Sequence, residues 1–214
     1  MTRYTTEQLA SFPWIVSTDT LRIDHLADAY LGAFDRLGQD VPEPFRSDLQ
    51  QCAAYASDLI GPESCDAWEL ATAWAFDRLD ELAPTGFYFG ASEGDGACFG
   101  FWVTEDWSDA METLGLNGDD PTGWAELISR LALDGIDPDN IEDAYQGRAE
   151  GWSEERAGAD YAQQLAEDTG VWDGKATWPH SCIDWEDAWQ ELCMSDGFRL
   201  HDIGGGDWLV FRSV

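Results

Sequence analysis

Charge of a single sign limits how this chain can fold. Forty-three Asp and Glu stand against eleven Lys and Arg, which gives a formal net charge of -32 at pH 7. This excess opposes compaction by self-repulsion, and it exceeds the charge of about 2–8 that keeps a small domain in solution. The fold therefore has to hold many carboxylates apart on its surface, and the excess favours a strongly positive partner.

The composition argues against disorder, which is the usual consequence of a high net charge. Hydrophobic residues make up 44% of the chain and aromatic residues 13%, including twelve Trp and ten Phe. This apolar content is enough to build a core. The length of 214 residues allows one large domain or about two to three small ones.

The sequence contains no membrane span or signal peptide that we can identify. No stretch approaches the roughly 18 apolar residues of a span, and residues 1–20 lack a basic start followed by an apolar core. We therefore expect a soluble, cytoplasmic protein that has no membrane partner.

Helical periodicity is the main pattern of the first half. Apolar residues recur at helical spacing over residues 20–38, 44–61 and 63–82. Two aromatic stretches on either side of the glycine-rich segment 92–96 indicate a β-hairpin over residues 86–103. This half therefore predicts a helical cluster with one hairpin.

The second half predicts further short helices and a terminal hairpin. Helical patterns cover residues 104–114, 124–135, 138–145, 153–170 and 183–194, and strand patterns flank three glycines within residues 198–211. Together the two halves predict an α+β fold of several short acidic helices with two small β-hairpins, in an elongated arrangement of several subdomains.

The segment 116–121 is the predicted domain boundary, because it combines Gly, Asp and Pro between two periodic regions. It separates an N-terminal region, residues 1–115, to which the sequence assigns no function, from an acidic region, residues 116–214.

Patterns for catalysis or metal binding are scarce. The three histidines, His25, His180 and His201, have no second His four positions away, and the five Cys form no C-x-x-C pair. The glycine runs lack the Lys or Arg that accompanies a phosphate cradle. We therefore expect a protein that is not an enzyme, with no catalytic residue, metal site or cofactor.

Acidic residues three or four positions apart follow the predicted helices of the second half. Side chains at that spacing lie about 5–6 Å apart, close to the separation of successive phosphates. The candidates for contacts with a basic partner are Glu150, Glu154, Glu155, Asp160, Glu167, Asp168, Asp184, Asp187 and Glu191. The net charge, at the density of duplex DNA, corresponds to roughly 54 Å of helix, against a diameter of about 45 Å for a compact chain of this length.

Acidity of this degree also has origins that involve no basic partner. A solvated helix face is commonly acidic, although such a face normally mixes both signs. Adaptation to high salt would also give an acidic surface with few lysines, and Lys175 is the single lysine here. The alternatives are therefore a small carboxylate-dependent enzyme from a salt-adapted organism and an acidic structural or assembly protein of a phage.

Two stretches of the second half carry motifs in a fixed order. The first contains IEDAYQG at residues 141–147 and EDTG at residues 167–170. The second is IDWEDAWQEL at residues 183–192, followed by GF at residues 197–198 and VF at residues 210–211. In order and spacing these motifs resemble the antirestriction and C-terminal regions of the ArdA family.

The resemblance covers about residues 112–214 and implies a phage or plasmid protein that mimics duplex DNA in the cytoplasm of a bacterial host. It further implies a homodimer that binds no nucleic acid itself and occupies the DNA groove of a type I restriction-modification enzyme, in its methyltransferase core. The partner that the acidity alone allows is this enzyme or another DNA-binding protein. Glu142 and Asp143 of the first motif join the candidate carboxylates, and Trp185 and Trp189 are the candidate dimer interface.

Overall fold

The computed structural model describes residues 4–54, 65–117, 120–174 and 182–213, and in these residues it contains nine helices and six strands. The helices are α1 (Thr6–Ala10), α2 (Ile23–Arg36), α3 (Phe45–Ala53), α4 (Cys65–Glu81), α5 (Glu105–Thr113), α6 (Pro121–Leu133), α7 (Ile141–Ala144), α8 (Glu154–Asp168) and α9 (Trp185–Asp196). The strands are β1 (Ile15–Ser17), β2 (Phe87–Ala91), β3 (Phe99–Val103), β4 (Tyr145–Glu150), β5 (Phe198–Gly204) and β6 (Asp207–Arg212). The strands form two three-stranded antiparallel sheets, which confirms the predicted α+β class.

Two compact units divide these elements. The first comprises Met1–Ser108 and Gly118–Ser129, and the second comprises Asp109–Asn117 and Arg130–Val214. The division thus falls within α5 and α6, whereas the sequence pattern placed a single boundary at residue 115.

Local contacts explain why α6 is divided. Ile128 packs so closely against Gly86 of the first unit that a Cβ on Gly86 would lie 2.8 Å from its side chain. Two residues later, Arg130 donates a 2.7 Å hydrogen bond to the carbonyl oxygen of Asp202 in the second unit. Periodicity predicts one continuous helix here and carries no information on which residues each half of it contacts.

The sheet of the first unit has the strand order β1-β3-β2. The predicted hairpin is confirmed, because Phe87 pairs with Val103 and Ala91 with Phe99 in an unbroken antiparallel register. The third strand, β1, was not predicted. It has three residues and an irregular register against β3, so it is too short to show the alternation on which strand prediction depends.

Three helices, α2, α3 and α4, surround the core of the first unit. The rings of Phe89 and Phe101 lie 5.0 Å apart at its centre. The stripe that helical spacing predicted on α4 is buried and consists of Trp68, Ala71, Ala75 and Leu79. Burial of each large apolar side chain contributes about 1.5–3 kcal/mol, which offsets part of the repulsion between surface carboxylates.

Part of the prediction for the second helix falls outside the described residues. The structure does not describe two residues of its predicted apolar face, Ala56 and Leu59, or its predicted end at Gly61-Pro62. The described helix α3 ends at Ala53.

The sheet of the second unit has the strand order β4-β6-β5. The predicted terminal hairpin is confirmed as β5 and β6, joined through Gly205 and Gly206, whose φ angles are +69° and +88°. Two central turn residues with positive φ favour glycine, since other residues are strained there. The strand β4 was not predicted, because residues 138–145 show a helical pattern that ends at Gly147.

Helices α8 and α9 cover one face of this sheet. Their buried side chains Tyr161 and Trp189 meet Phe198 and Val210 of β5 and β6 in one core. On the other face His201 and Phe211 are 5% and 0% exposed, with their rings 5.4 Å apart. Residues on both faces of the sheet are therefore buried, although β4 exposes Gln146, Arg148 and Glu150.

Within the described residues, no helix combines the length and the apolar character that crossing a membrane requires.

Candidate partner-binding surface

The candidate carboxylates of the second unit lie on α7, α8, α9 and β4 or next to them. Side-chain caps fix the starts of the two longer helices. The Ser153 hydroxyl accepts from the backbone N–H of Arg156, and the Asp184 carboxylate accepts from the N–H groups of Glu186 and Asp187. Such caps are worth about 1 kcal/mol each, so the acids near these helix starts have a defined backbone position.

Ten of the eleven predicted carboxylates are exposed to solvent, and Asp160 is half-buried. The exposed ten are Glu142, Asp143, Glu150, Glu154, Glu155, Glu167, Asp168, Asp184, Asp187 and Glu191. The structure therefore places the predicted set on the surface of one unit.

The acids of α8 do not form a single row along the helix. At 100° per residue, Asp160 and Glu167 share its outer face two turns apart, about 10 Å along the axis. Glu154 and Glu155 lie in the first turn and Asp168 is the last helical residue. On α9, Asp187 and Glu191 are four residues apart and lie one turn from each other on the outer face.

Amide side chains fix two of the carboxylates without neutralising them. Gln164 donates to Asp160 at 2.6 Å, and Gln163 donates to Glu167 at 3.2 Å. Both pairs are spaced four residues apart on α8. A neutral donor restricts the rotamer of the acid and leaves its full charge available to a partner.

Glu155 gains a further contact at the helix start. A hydrogen bond to its own backbone N–H, followed by one to the Ser153 hydroxyl, lowers the pKa of Glu155 below its ordinary value. The carboxyl group therefore stays ionised to lower pH than a free glutamate would.

The arginines of the second unit bind mainly to groups other than carboxylates. Arg130, Arg148 and Arg199 donate to the main-chain carbonyl oxygens of Asp202, Leu114 and Phe198, at 2.7 to 2.8 Å. The Arg156 guanidinium lies over the Trp152 ring. Only Arg212, among the described arginines of this unit, pairs with a carboxylate, that of Asp196 at 3.0 Å.

The consequence is a surface whose predicted carboxylates are not paired with cations of the described residues. None of the eleven predicted carboxylates forms an ion pair with any cation in the described part of the chain. Most acidic surfaces contain interspersed cations that reduce the local field. Here the field of the carboxylates extends into solvent, within the limit set by the Debye length of about 8–10 Å.

The predicted role of Trp189 as an exposed interface residue needs correction. Trp189 is only 4% exposed, and its ring lies against Gly158 of α8 with Tyr161 and Phe198 beside it. Helical spacing placed Trp185 and Trp189 on one face, and that face packs on the unit's own sheet. Trp189 therefore belongs to the core.

Trp185 is half-buried and borders an open cleft of about 430 Å³ between the starts of α8 and α9. Its ring contacts that of Trp172 at 5.0 Å. Arg156, Ile183 and Glu186 also line the cleft. Of the two predicted interface tryptophans, only Trp185 is accessible to another molecule.

One exposed aromatic residue was missed by the sequence interpretation. Trp152 immediately precedes the Ser153 cap and is 82% exposed. An apolar residue at this position usually packs against the fourth residue of the helix, which here is Ala157. An alanine side chain is too small to cover an indole. The pairing of Trp152 with Ala157 was therefore the sequence signal that could have predicted the exposure of Trp152.

The described residues include no group of three or more His, Cys, Asp or Glu side chains that could hold a metal ion. His180 lies outside the described residues, and Cys182 is exposed.

Comparison of the chain with models of protein families, with curated proteins and with solved structures found no match.

Proposed function

We propose that this protein is a non-enzymatic DNA mimic that inhibits a type I restriction-modification enzyme by occupying the DNA groove of its methyltransferase core. The observation that carries the proposal is that ten of the eleven predicted carboxylates of the second unit are exposed and that none of the eleven has a cationic partner among the described residues. The class of target is proposed from the resemblance of residues 141–211 to the ArdA motifs.

Fixed carboxylates suit this function better than mobile ones. A DNA-binding groove presents Lys and Arg at positions matched to phosphates. Acids that are held by helix caps, as Asp184 is, or by glutamine donors, as Asp160 and Glu167 are, lose little side-chain entropy when they meet such a groove. Opposite net charges also accelerate association through electrostatic steering.

Competition with DNA tests the proposal directly. The assay uses a purified type I restriction-modification enzyme, a duplex that carries its recognition site, and this protein as inhibitor. We expect the apparent inhibition constant to rise in proportion to the DNA concentration once the enzyme is saturated with DNA. An apparent inhibition constant that is independent of DNA would exclude occupation of the groove.

A charge variant tests which acids are responsible. Glu154→Gln, Glu155→Gln, Glu167→Gln and Asp168→Asn together remove four exposed charges from α8. At about 0.5 kcal/mol for each exposed pair, the combined loss is about 2 kcal/mol, or about 30-fold in inhibition. Single changes should each alter inhibition by only about twofold.

The matched control removes four exposed charges from the first unit. Asp28, Asp35, Glu69 and Asp77 are exposed acids on α2 and α4 and serve this purpose. Asp80 is unsuitable, since its carboxylate accepts a 2.8 Å hydrogen bond from the backbone N–H of Phe89. Equal inhibition by the parent and both fourfold variants would contradict a specific role of the α8 acids.

We further propose that the active form is a homodimer, as the family resemblance implies. With Trp189 in the core, the proposed interface is centred on Trp185. Sedimentation equilibrium of the parent and of Trp185→Ala at micromolar concentration tests this, and a strictly monomeric parent that still inhibits would exclude it.

A further inference from the structure

Trp152 is exceptional among the described tryptophans. Its exposed fraction is 82%, while the other ten described tryptophans are buried or half-buried. An exposed indole costs solubility and contributes nothing to the core. Interfaces use tryptophan as an anchor more often than most residues, so the position of Trp152 suggests a contact with another molecule.

The backbone that carries Trp152 is held firmly. The preceding residue, Gly151, donates to the carbonyl oxygen of Gly206 and accepts from the Trp208 indole N–H, both at 2.9 Å. A Cβ on Gly151 would collide with the backbone of Ala157. The residue after Trp152 is the Ser153 helix cap. The indole therefore projects from a rigid support.

The ring itself is also oriented. The guanidinium carbon of Arg156 lies 5.0 Å from the centre of the Trp152 ring, in cation–π contact. This contact restricts the indole while most of its surface stays open to solvent. Little ordering entropy remains to be lost when the ring is inserted into a partner.

Exposed carboxylates surround the indole in sequence. Glu150 is two residues before Trp152, and Glu154 and Glu155 are two and three residues after it. A planar aromatic ring that projects between anionic groups is also what an extruded nucleotide presents to a protein. Methyltransferases that modify a base inside a duplex extrude it and stack it between aromatic or apolar side chains.

We propose that Trp152 takes the place of the extruded nucleobase in the base-binding pocket of the target enzyme, while Glu150, Glu154 and Glu155 take the places of neighbouring phosphates. This inference rests on the proposed function and specifies the partner further, as an enzyme that extrudes a base.

Charge disfavours two other occupants of this face. A second copy of this chain docked on Trp152 would bring its own Glu150, Glu154 and Glu155 towards the same acids, whereas the proposed dimer interface is centred on Trp185. An anionic lipid surface would be repelled in the same way. A pocket rimmed by Lys and Arg is complementary to both the ring and the acids.

The test is a series of substitutions at position 152, measured as inhibition of a purified type I restriction-modification enzyme against a duplex with its recognition site. When an aromatic residue that stacks on a base is replaced by alanine, the affinity for the nucleic acid falls by about 5- to 150-fold. We expect Trp152→Ala to weaken inhibition within that range, and Trp152→Tyr and Trp152→Phe to retain most of it. Trp152→Leu should behave like Trp152→Ala, because leucine is apolar but has no planar face.

Two controls separate this inference from the proposed function. Met194→Ala removes another large apolar side chain of the second unit, 76% exposed and on the acidic outer face of α9, and should change inhibition less than twofold. The dependence of inhibition on salt should be unchanged by Trp152→Ala and weakened by the fourfold α8 variant, since only the latter removes charges. Circular dichroism should show that all variants are folded.

Each outcome is decisive. If the parent competes with DNA and Trp152→Ala inhibits equally well, or Trp152→Leu inhibits as well as the parent, the base-pocket inference is wrong and the proposed function stands. If the parent does not compete with DNA, the proposed function and the base-pocket inference are both wrong. If Trp152→Ala abolishes a dimer of the parent in sedimentation, Trp152 is a self-association residue and the inference is likewise overturned.

Discussion

At the scale of single residues, arginine serves the fold of the second unit more than its surface charge. Arg148 donates to the carbonyl oxygens of both Leu114 and Gly115 at 2.8 and 3.2 Å, although many carboxylates are available. A guanidinium that is bound in this way satisfies main-chain acceptors at the end of α5. Arg148 forms no ion pair in the described part of the chain, and the eleven predicted surface acids have no cationic partner there either.

His201 is a buried titratable residue of this unit, 5% exposed on β5. Its Nε2 lies 3.2 Å from a carboxylate oxygen of Asp134, in a geometry outside that of a hydrogen bond. Burial lowers the pKa of His201, Arg130 and Arg199 act in the same direction, and Asp134 opposes them. The folded state therefore favours the neutral imidazole.

This environment predicts a loss of stability at acid pH. Above the ordinary value of 6.5 the imidazole is neutral in both the folded and the unfolded chain, so it adds no pH dependence. Below 6.5 the unfolded chain binds a proton that the folded chain binds only at lower pH, so the free energy of unfolding falls. Urea titrations at pH 7.5 and 5.0 should show a smaller fall for His201→Gln than for the parent. Identical pH dependence of the two proteins would contradict the assignment.

Gly158 predicts a second residue-scale effect. It lies in the middle of α8, where a Cβ would overlap the Trp189 ring. Gly158→Ala should therefore destabilise the protein by about 1–3 kcal/mol, as overpacking does.

Gly32→Ala is the control, because Gly32 lies within α2 with no atom within 4 Å of its Cβ position. That change should stabilise by about 0.5–1 kcal/mol. Chemical denaturation measures both, and equal effects of the two changes would refute the packing argument.

At the scale of elements, the sequence predicts what local patterns encode. The helical pattern of residues 153–170 and the glycines of the terminal hairpin are local signals, and the structure confirms both. The short helix α1 was missed, although its Thr5–Gln8 capping box is a local signal too.

Long-range pairing accounts for the strands that were missed. The strand β4 has only Ala149 fully buried and exposes Gln146, Arg148 and Glu150. It is a strand because β6, at the far end of the second unit's sequence, pairs with it. Likewise, the exposed acids of the candidate surface could be predicted from composition and spacing. The burial of Trp189 could not, because spacing identifies a shared helix face and not what that face contacts.

Asp184 combines two roles at the start of α9, and substitutions can separate them. Its carboxylate caps the helix and is also one of the predicted partner-binding charges. Asp184→Ala should lower the free energy of unfolding by about 1 kcal/mol, whereas Asp184→Asn should leave it within a few tenths, since asparagine caps about as well. Both variants lose the charge. Thermal unfolding of the two distinguishes them, and equal stabilities would show that the cap contributes nothing.

At the scale of the whole molecule, the net charge of -32 is opposed by the two aromatic cores. The first core has stacked and edge-on ring contacts throughout, including Phe45 on Trp74 at 4.6 Å and Tyr30 on Phe89 at 5.7 Å. Aromatic pairs add about 0.5–1.5 kcal/mol each beyond the area they bury. These contacts do not depend on salt, so we expect the chain to fold without screening of its carboxylates.

Salt dependence of unfolding separates a mimic from a salt-adapted protein. Screening weakens self-repulsion over the Debye length, which shortens from about 30 Å at 0.01 M salt to about 10 Å at 0.1 M. We expect the chain to be folded at 0.01 M NaCl and its melting temperature to rise by several degrees up to 0.5 M NaCl, as repulsion is screened. The fourfold α8 variant should melt higher than the parent at 0.01 M and show a smaller rise, because it carries four fewer charges. Circular dichroism on both proteins measures this, with sucrose as an uncharged control. A chain that folds only in molar salt would instead support adaptation to a saline cytoplasm, and the acidity would then need no partner to explain it.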